Sequence, residues 1–195
     1  STSVVAQNPG GEQPTATPMP TEAPKGRLTV LQNFAGADGN GAGRVNMQSD
    51  GVTLYSIFFT AKERDILIKG ITLTRIGFSN FNDSLYINAN LSTRETGIVQ
   101  VLSSLKNGQA SFFNENGLFG IAKDKTVAIY FGGSMNGFQW SEQTAANYNG
   151  QSLGFSLKKS SDIRTDVPVD IIGLPLDGQT FKLCCYVGSL TPNTP

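Results

Sequence analysis

Histidine is missing altogether from the 195-residue chain. That absence excludes Ser-His-Asp and Cys-His nucleophile systems, together with every histidine-ligated metal centre. Charge is scarce as well: charged residues make up 15% of the chain, and fifteen basic residues balance fifteen acidic ones. Without a basic excess there is no electrostatic footprint for nucleic acid or anionic lipid. Long apolar runs are also lacking. None approaches the roughly 18–20 residues that a helix needs to cross a bilayer, and the opening STSVVAQ has neither the basic nor the apolar region of a signal peptide. The expectation is a soluble chain with no membrane span and no nucleic-acid partner, already mature if secreted.

Dedicated ligand loops are missing too. No G-x-x-x-x-G-K-[ST] phosphate loop occurs, and the Gly-rich GADGNGAGR (36–44) opens no helix. Asp38 and Asn40 within it could ligate Ca²⁺. The alternating acidic ladder and closing Glu of a calcium loop are absent, so the segment reads as a solvated connection and no metal or cofactor is expected. Carboxylates sit mostly at turns: Glu63 and Asp65 beside Lys62 and Arg64, and Asp162, Asp166 and Asp170 at strand ends. Paired carboxylates for glycoside hydrolysis would have to meet in space. Their placement is instead that of solvated charge, and the expectation is a protein that is not an enzyme.

What the chain does contain is sheet pattern. From Arg27 onward, short β-branched and aromatic runs alternate with Gly, Asn and Asp clusters, predicting strands over 27–34, 51–60, 65–76, 84–91, 97–103, 109–114, 125–131, 152–158, 167–172 and 179–187. Asp50-Gly51, Lys106-Asn107-Gly108, Asn116-Gly117, Asn149-Gly150 and Asp177-Gly178 supply residues that tolerate positive φ between them. Lys69-Gly70 interrupts an apolar run, which predicts a bulge or bend that carries the strand from one sheet to the other. Helix is almost absent from this reading. The fold expected is all-β, an antiparallel two-sheet sandwich of Ig-like or jelly-roll-like form spanning 27–195, behind an extended Pro-rich arm at 1–26.

Three features carry the functional expectations. Residues 131–150 read as one long irregular insertion with Phe138, Trp140 and Tyr148: either a cap on the open end of the sandwich or a surface that stacks on sugar rings. Cys184 and Cys185 are adjacent, and strand alternation would turn them to opposite faces, with Cys185 in the core and Cys184 either covered or free to crosslink to a partner. On that reading the two thiols cannot reach each other. Two Asn-x-Ser sequons, at Asn82 and Asn90, are compatible with glycosylation and equally with ordinary turn and strand-edge chemistry.

The segment VTLYSIFFTAKERDILIKGITLTRIGFSNFNDSLYINANLSTRETGIVQVLSSLKNGQASFFNENGLFGIAKDKTVAIYFGG (52–133) resembles the Ig-like sandwich module found in tandem on secreted surface proteins of bacteria and archaea. The resemblance rests on a V-x-L-x-x-F-x-x-T-A strand, then I-x-I-x-x-I-T-L-T-R-x-G, then an F-rich strand and a K-T-V-x-I strand. It implies a fold and a cell-surface setting, and carries no catalytic or binding residue across. A Pro-rich arm in front and further strands behind set this chain apart from the tandem module.

The arm itself cannot fold alone. Residues 7–26 hold five prolines and few apolar side chains, too few to offset the entropy of ordering. An 18-residue Pro-rich spacer extends to roughly 55 Å, beyond the diameter of about 40 Å expected for the domain. Its tip carries Val4, Val5 and Ala6, suited to adding an edge strand to a neighbouring sheet. The leading expectation is a secreted structural subunit whose partners are copies of itself, forming an extracellular filament, tube or surface layer. The alternative is a cell-surface adhesin or carbohydrate-binding module on a Pro-rich stalk, with a glycan as its ligand.

Overall fold

A computed structural model describes residues 25–33, 43–77, 83, 87–135 and 139–186. Val4, Val5, Ala6 and the rest of the arm up to residue 24, and Asp38, Asn40, Asn82 and Phe138, lie outside the described residues, whereas Lys25 is described and Gly26 already belongs to the first strand. Within them the chain forms β1 (Gly26–Gln32), β2 (Arg44–Asn46), β3 (Val52–Lys62), β4 (Ile66–Ile76), β5 (Ile87–Thr93), β6 (Gly97–Ser104), β7 (Gln109–Phe113), β8 (Phe119–Ile121), β9 (Thr126–Ser134), α1 (Glu142–Tyr148), β10 (Ser152–Leu157), β11 (Ile163–Thr165), β12 (Val169–Ile172), β13 (Leu176–Asp177) and β14 (Phe181–Cys184). A 3-10 turn, Ser160–Asp162, precedes β11.

Each of the ten runs read from alternation holds a strand. They assemble into two sheets: one in the order β12-β1-β3-β9-β5-β6, the other β11-β4-β10-β14-β2, with β13 on β10 and β7 and β8 on β4. The sandwich is therefore the all-β fold expected, but it is not purely antiparallel. Strand β1 runs parallel to β12, and β14 parallel to β2.

Period-2 alternation decides which side chains face inward. On β3, Leu54, Ile57, Phe59 and Ala61 are fully buried. Tyr55 follows the same alternation as Ile57, Phe59 and Ala61, and a register shift between Thr53 and Tyr55 accounts for the out-of-phase Leu54 facing inward too. On β4 the inward residues are Ile66 and Ile68, then Ile71 and Leu73, so the phase slips by one residue between them. The slip falls at Lys69-Gly70, where β11 passes from Gly70 to Ile68 between consecutive residues. The expected bulge is present, but β4 does not change sheets: β8 pairs with Ile66–Ile68 and β7 with Gly70–Thr74 of the same strand. The bulge re-phases the inward face without bending the strand across the sandwich.

Aromatic rings join the layers. Phe131 of β9 meets Phe112 of β7 and Phe155 of β10 edge-on, with centroids 5.9 and 4.5 Å away, and Phe59 of β3 stacks on Phe119 of β8 at 6.2 Å. Each such pair contributes about 0.5–1.5 kcal/mol beyond the area it buries. Turn chemistry differs between two of the predicted glycine turns. Asn107 (φ 52°) and Gly108 (φ 70°) close a tight hairpin in which Lys106 and Gln109 exchange backbone hydrogen bonds. Gly178 is needed for space instead: a Cβ there would lie 2.5 Å from a Tyr55 ring carbon and 2.7 Å from the Phe155 carbonyl.

The insertion over 131–150 is more regular than its composition predicts. Strand β9 continues to Ser134, and α1 occupies Glu142–Tyr148. A reciprocal capping box starts the helix: the Ser141 hydroxyl accepts from the Thr144 N–H, and the Thr144 hydroxyl accepts from the Ser141 N–H.

Candidate functional site

One end of the sandwich brings together two features that are 36 to 45 residues apart in the chain: the aromatic insertion and the cysteine pair. Helix α1 packs its one buried residue, Ala145, onto the core, and Trp140, Tyr148 and Tyr186 are half-buried around it. The Trp140 Nε1–H donates to the Met135 carbonyl at 2.9 Å, and its ring meets Tyr148 at 90° with centroids 6.1 Å apart. Two perpendicular rings do not make a flat platform for a sugar, and the indole donor is already engaged. In this geometry Trp140 and Tyr148 pack against each other and against the core.

Cys184 and Cys185 form a disulfide with each other. Alternation predicts otherwise, and the correction has a local cause. Alternation holds through Phe181 and Leu183, both buried, with Lys182 exposed between them. Strand β14 then stops at Cys184, and Cys185 takes φ 63°, which turns the chain out of the extended form. Cys185 is consequently exposed instead of a core residue, while Cys184 is half-buried. The pairing occupies the Cys184 sulfur that a crosslink to a partner would use.

The backbone around the pair is held from both sides. The Met47 N–H donates to the Cys184 carbonyl at 2.9 Å, Leu183 N–H to the Gln151 carbonyl at 2.8 Å, and Gly150 N–H to the Leu183 carbonyl at 2.9 Å. Beyond it, the Tyr186 hydroxyl donates to the Trp140 carbonyl at 3.3 Å. A cleft of about 390 Å³ opens beside these elements, lined by Met47, Glu142, Ala145, Asn149, Cys185 and Tyr186 among others. Sequence reading missed Met47, Glu142, Asn149 and Tyr186 as neighbours: they come from three separate segments, Glu142 and Asn149 both belonging to α1 and its C-cap. The capping box at Ser141 and Thr144 was the signal that could have placed Glu142 on a helix.

A second surface lies along the other side of the six-stranded sheet. Among the described residues β6 pairs with β5 alone, so its outer edge is open. Its Gln100 side chain turns toward β7 and takes the place of a strand, accepting from the Phe113 N–H at 3.0 Å and donating to the Phe113 carbonyl at 3.3 Å. Between β6 and β7 a groove of about 420 Å³ runs past Leu102, Ser104, Leu105, Gln109 and Ser111. Asn90, of the second sequon, sits on neighbouring β5 opposite Val101.

No family model, curated protein or solved structure matches the chain.

Proposed function

We propose that the protein is a secreted structural subunit that self-assembles, its N-terminal arm adding a strand to the sheet of a neighbouring copy. One observation carries the reading: β6 has a strand partner on one side alone among the described residues, and on its other side it reaches β7 through the Gln100 side chain. Its eight residues, GIVQVLSS, include no charge and no proline, and Ile98 and Val101 are 66% and 50% exposed. Edge strands of this kind are association sites unless something covers them. A register shift near Ile98 disturbs only the first part of the strand, leaving the stretch from Gln100 regular.

The arm tip suits that edge. Val4 and Val5 are β-branched, and an extended tip offers the backbone donors and acceptors that a ladder needs. The buried cluster of the described residues runs from Leu28 to Leu183. A disulfide between Cys184 and Cys185 is in keeping with an oxidising, extracellular setting. Head-to-tail addition repeats from copy to copy, which generates a filament, tube or layer instead of a closed dimer.

Imaging and sedimentation of the full chain beside a 1–24 deletion test the reading. Strand β1 begins at Gly26 and Lys25 pairs with Asp170, so the deletion spares both. Polymers from the full chain and a folded monomer from the deletion are expected. A full chain that stays monomeric at high concentration, or a deletion that still polymerises, overturns it.

A further inference from the structure

The cleft beside the disulfide is used neither by strand addition nor by the aromatic cap. We propose that Cys184–Cys185 is a thiol-exchange site, opened by small uncharged or cationic thiols that attack Cys185 Sγ from this cleft, and that its opening releases the cap over α1.

Accessibility selects the attacked sulfur. Cys185 is exposed and lines the cleft, whereas Cys184 is half-buried at the end of β14, paired with Asn46 and bonded through its carbonyl to Met47 N–H. The incoming thiolate forms a bond to Cys185 Sγ, and the Cys184–Cys185 bond breaks. Its electron pair leaves on Cys184 Sγ, which takes a proton from solvent. A second thiol then displaces the mixed disulfide. The net change is two thiols on the protein and one disulfide on the reductant, two electrons and two protons having been transferred.

Among the described residues, Glu142 is the one charged residue lining the cleft. Its carboxylate disfavours an anionic thiol and favours a cationic one, an effect screened by salt because Glu142 is exposed. The cap is linked through the backbone. With the ring closed, Cys185 stays at φ 63°, and this turn delivers Tyr186 to the Trp140 carbonyl. A positive φ is unfavourable for a residue with a Cβ. Freed of the ring, Cys185 relaxes toward extended backbone, alternation carries Tyr186 to another direction, and its hydrogen bond to Trp140 is lost.

The experiment treats the oxidised full chain under native conditions with cysteamine or with 3-mercaptopropionate, quenching by rapid alkylation and mapping each sulfur. The mixed disulfide is expected on Cys185 and the alkyl group on Cys184. The cysteamine-to-mercaptopropionate rate ratio should fall several-fold in Glu142→Gln, a comparison that cancels the intrinsic reactivity of the two reagents. Trp140 is the sole tryptophan, so its emission reports the cap. Full reduction with dithiothreitol should shift that emission to longer wavelength, and Tyr186→Phe should show the shifted emission before any reduction. Attack at Cys184, an unchanged ratio in Glu142→Gln, reaction only after denaturant unfolds the chain, or an emission that reduction leaves unmoved would each overturn the proposal.

Discussion

The Tyr186 hydroxyl reaches the carbonyl of Trp140 across 46 residues of sequence, tying the chain just after the disulfide to the chain just before α1. Trp140 is thereby a structural residue of the end cap as well as an aromatic surface. Replacing it with Ala removes the Nε1 donor to Met135 and the edge contact with Tyr148. The expected cost is about 2–3 kcal/mol, below the 3–5 of a fully buried ring because Trp140 is only half-buried. Urea unfolding followed by circular dichroism measures it. A loss under about 0.5 kcal/mol would mean that the ring lies on the surface and stabilises nothing.

Gly178 and Tyr55 make a second pair that sequence spacing does not reveal. The Tyr55 hydroxyl on β3 donates to the Leu176 carbonyl on β13 at 2.6 Å, linking the two sheets, and burial pushes its phenol well above the ordinary range. Tyr55→Phe should cost about 1 kcal/mol, the net contribution of one such hydrogen bond. Gly178→Ala should cost more, about 2–3 kcal/mol, because the new methyl would collide with the Tyr55 ring and the Phe155 backbone. Thermal unfolding of both variants should reproduce that order. Equal melting temperatures would place the Tyr55 ring elsewhere.

Asp177 predicts a pH signature. The Lys158 ammonium at 2.8 Å and the Ser156 hydroxyl at 2.5 Å hold its carboxyl below the usual carboxylate range. A carboxyl depressed on folding contributes stability above its unfolded pKa of about 4, and that contribution is lost as pH falls through the lower folded value. At pH 7, Asp177→Asn should be less stable by under about 1 kcal/mol, because the ion pair is open to water. The gap should close as the pH is lowered below about 4. A gap that is constant in pH would assign the effect to shape and not to charge.

The long strands were legible because eleven-residue runs such as β3 and β4 repeat their inward apolar positions several times. Strands β2, β8, β11 and β13 have two or three residues each, too short for any period to register, and they form because longer neighbours offer an edge. The parallel placement of β12 on β1 depends on a partner 143 positions away, Gly26 to Val169, which alternation cannot encode. At the end cap, α1 was overlooked because its seven residues give under two full turns of apolar repeat, although Ser141 and Thr144 carry the capping signal. The cysteine reading failed by one residue: alternation was extended through Cys185, whereas the strand ends at Cys184.

Strand addition predicts complementation between two separately crippled chains. The 1–24 deletion keeps the β6 edge as an acceptor but has no arm to give. A Val101→Lys/Ser103→Lys double variant keeps the arm but places two ammonium groups along β6, the device by which natural edge strands resist pairing. Both substituted positions are exposed, so neither change enters the core, and each should alter folding stability by under about 0.5 kcal/mol. Alone, each protein should sediment as a monomer. Mixed in equal amounts, they should form one-to-one heterodimers and nothing larger: the lysine variant donates its arm to the intact edge of the deletion, and neither product can extend further. Analytical ultracentrifugation reads the outcome directly. Polymers from the lysine variant alone would show that the arm docks away from β6, and a mixture that remains monomeric would show that the arm and this edge do not recognise each other.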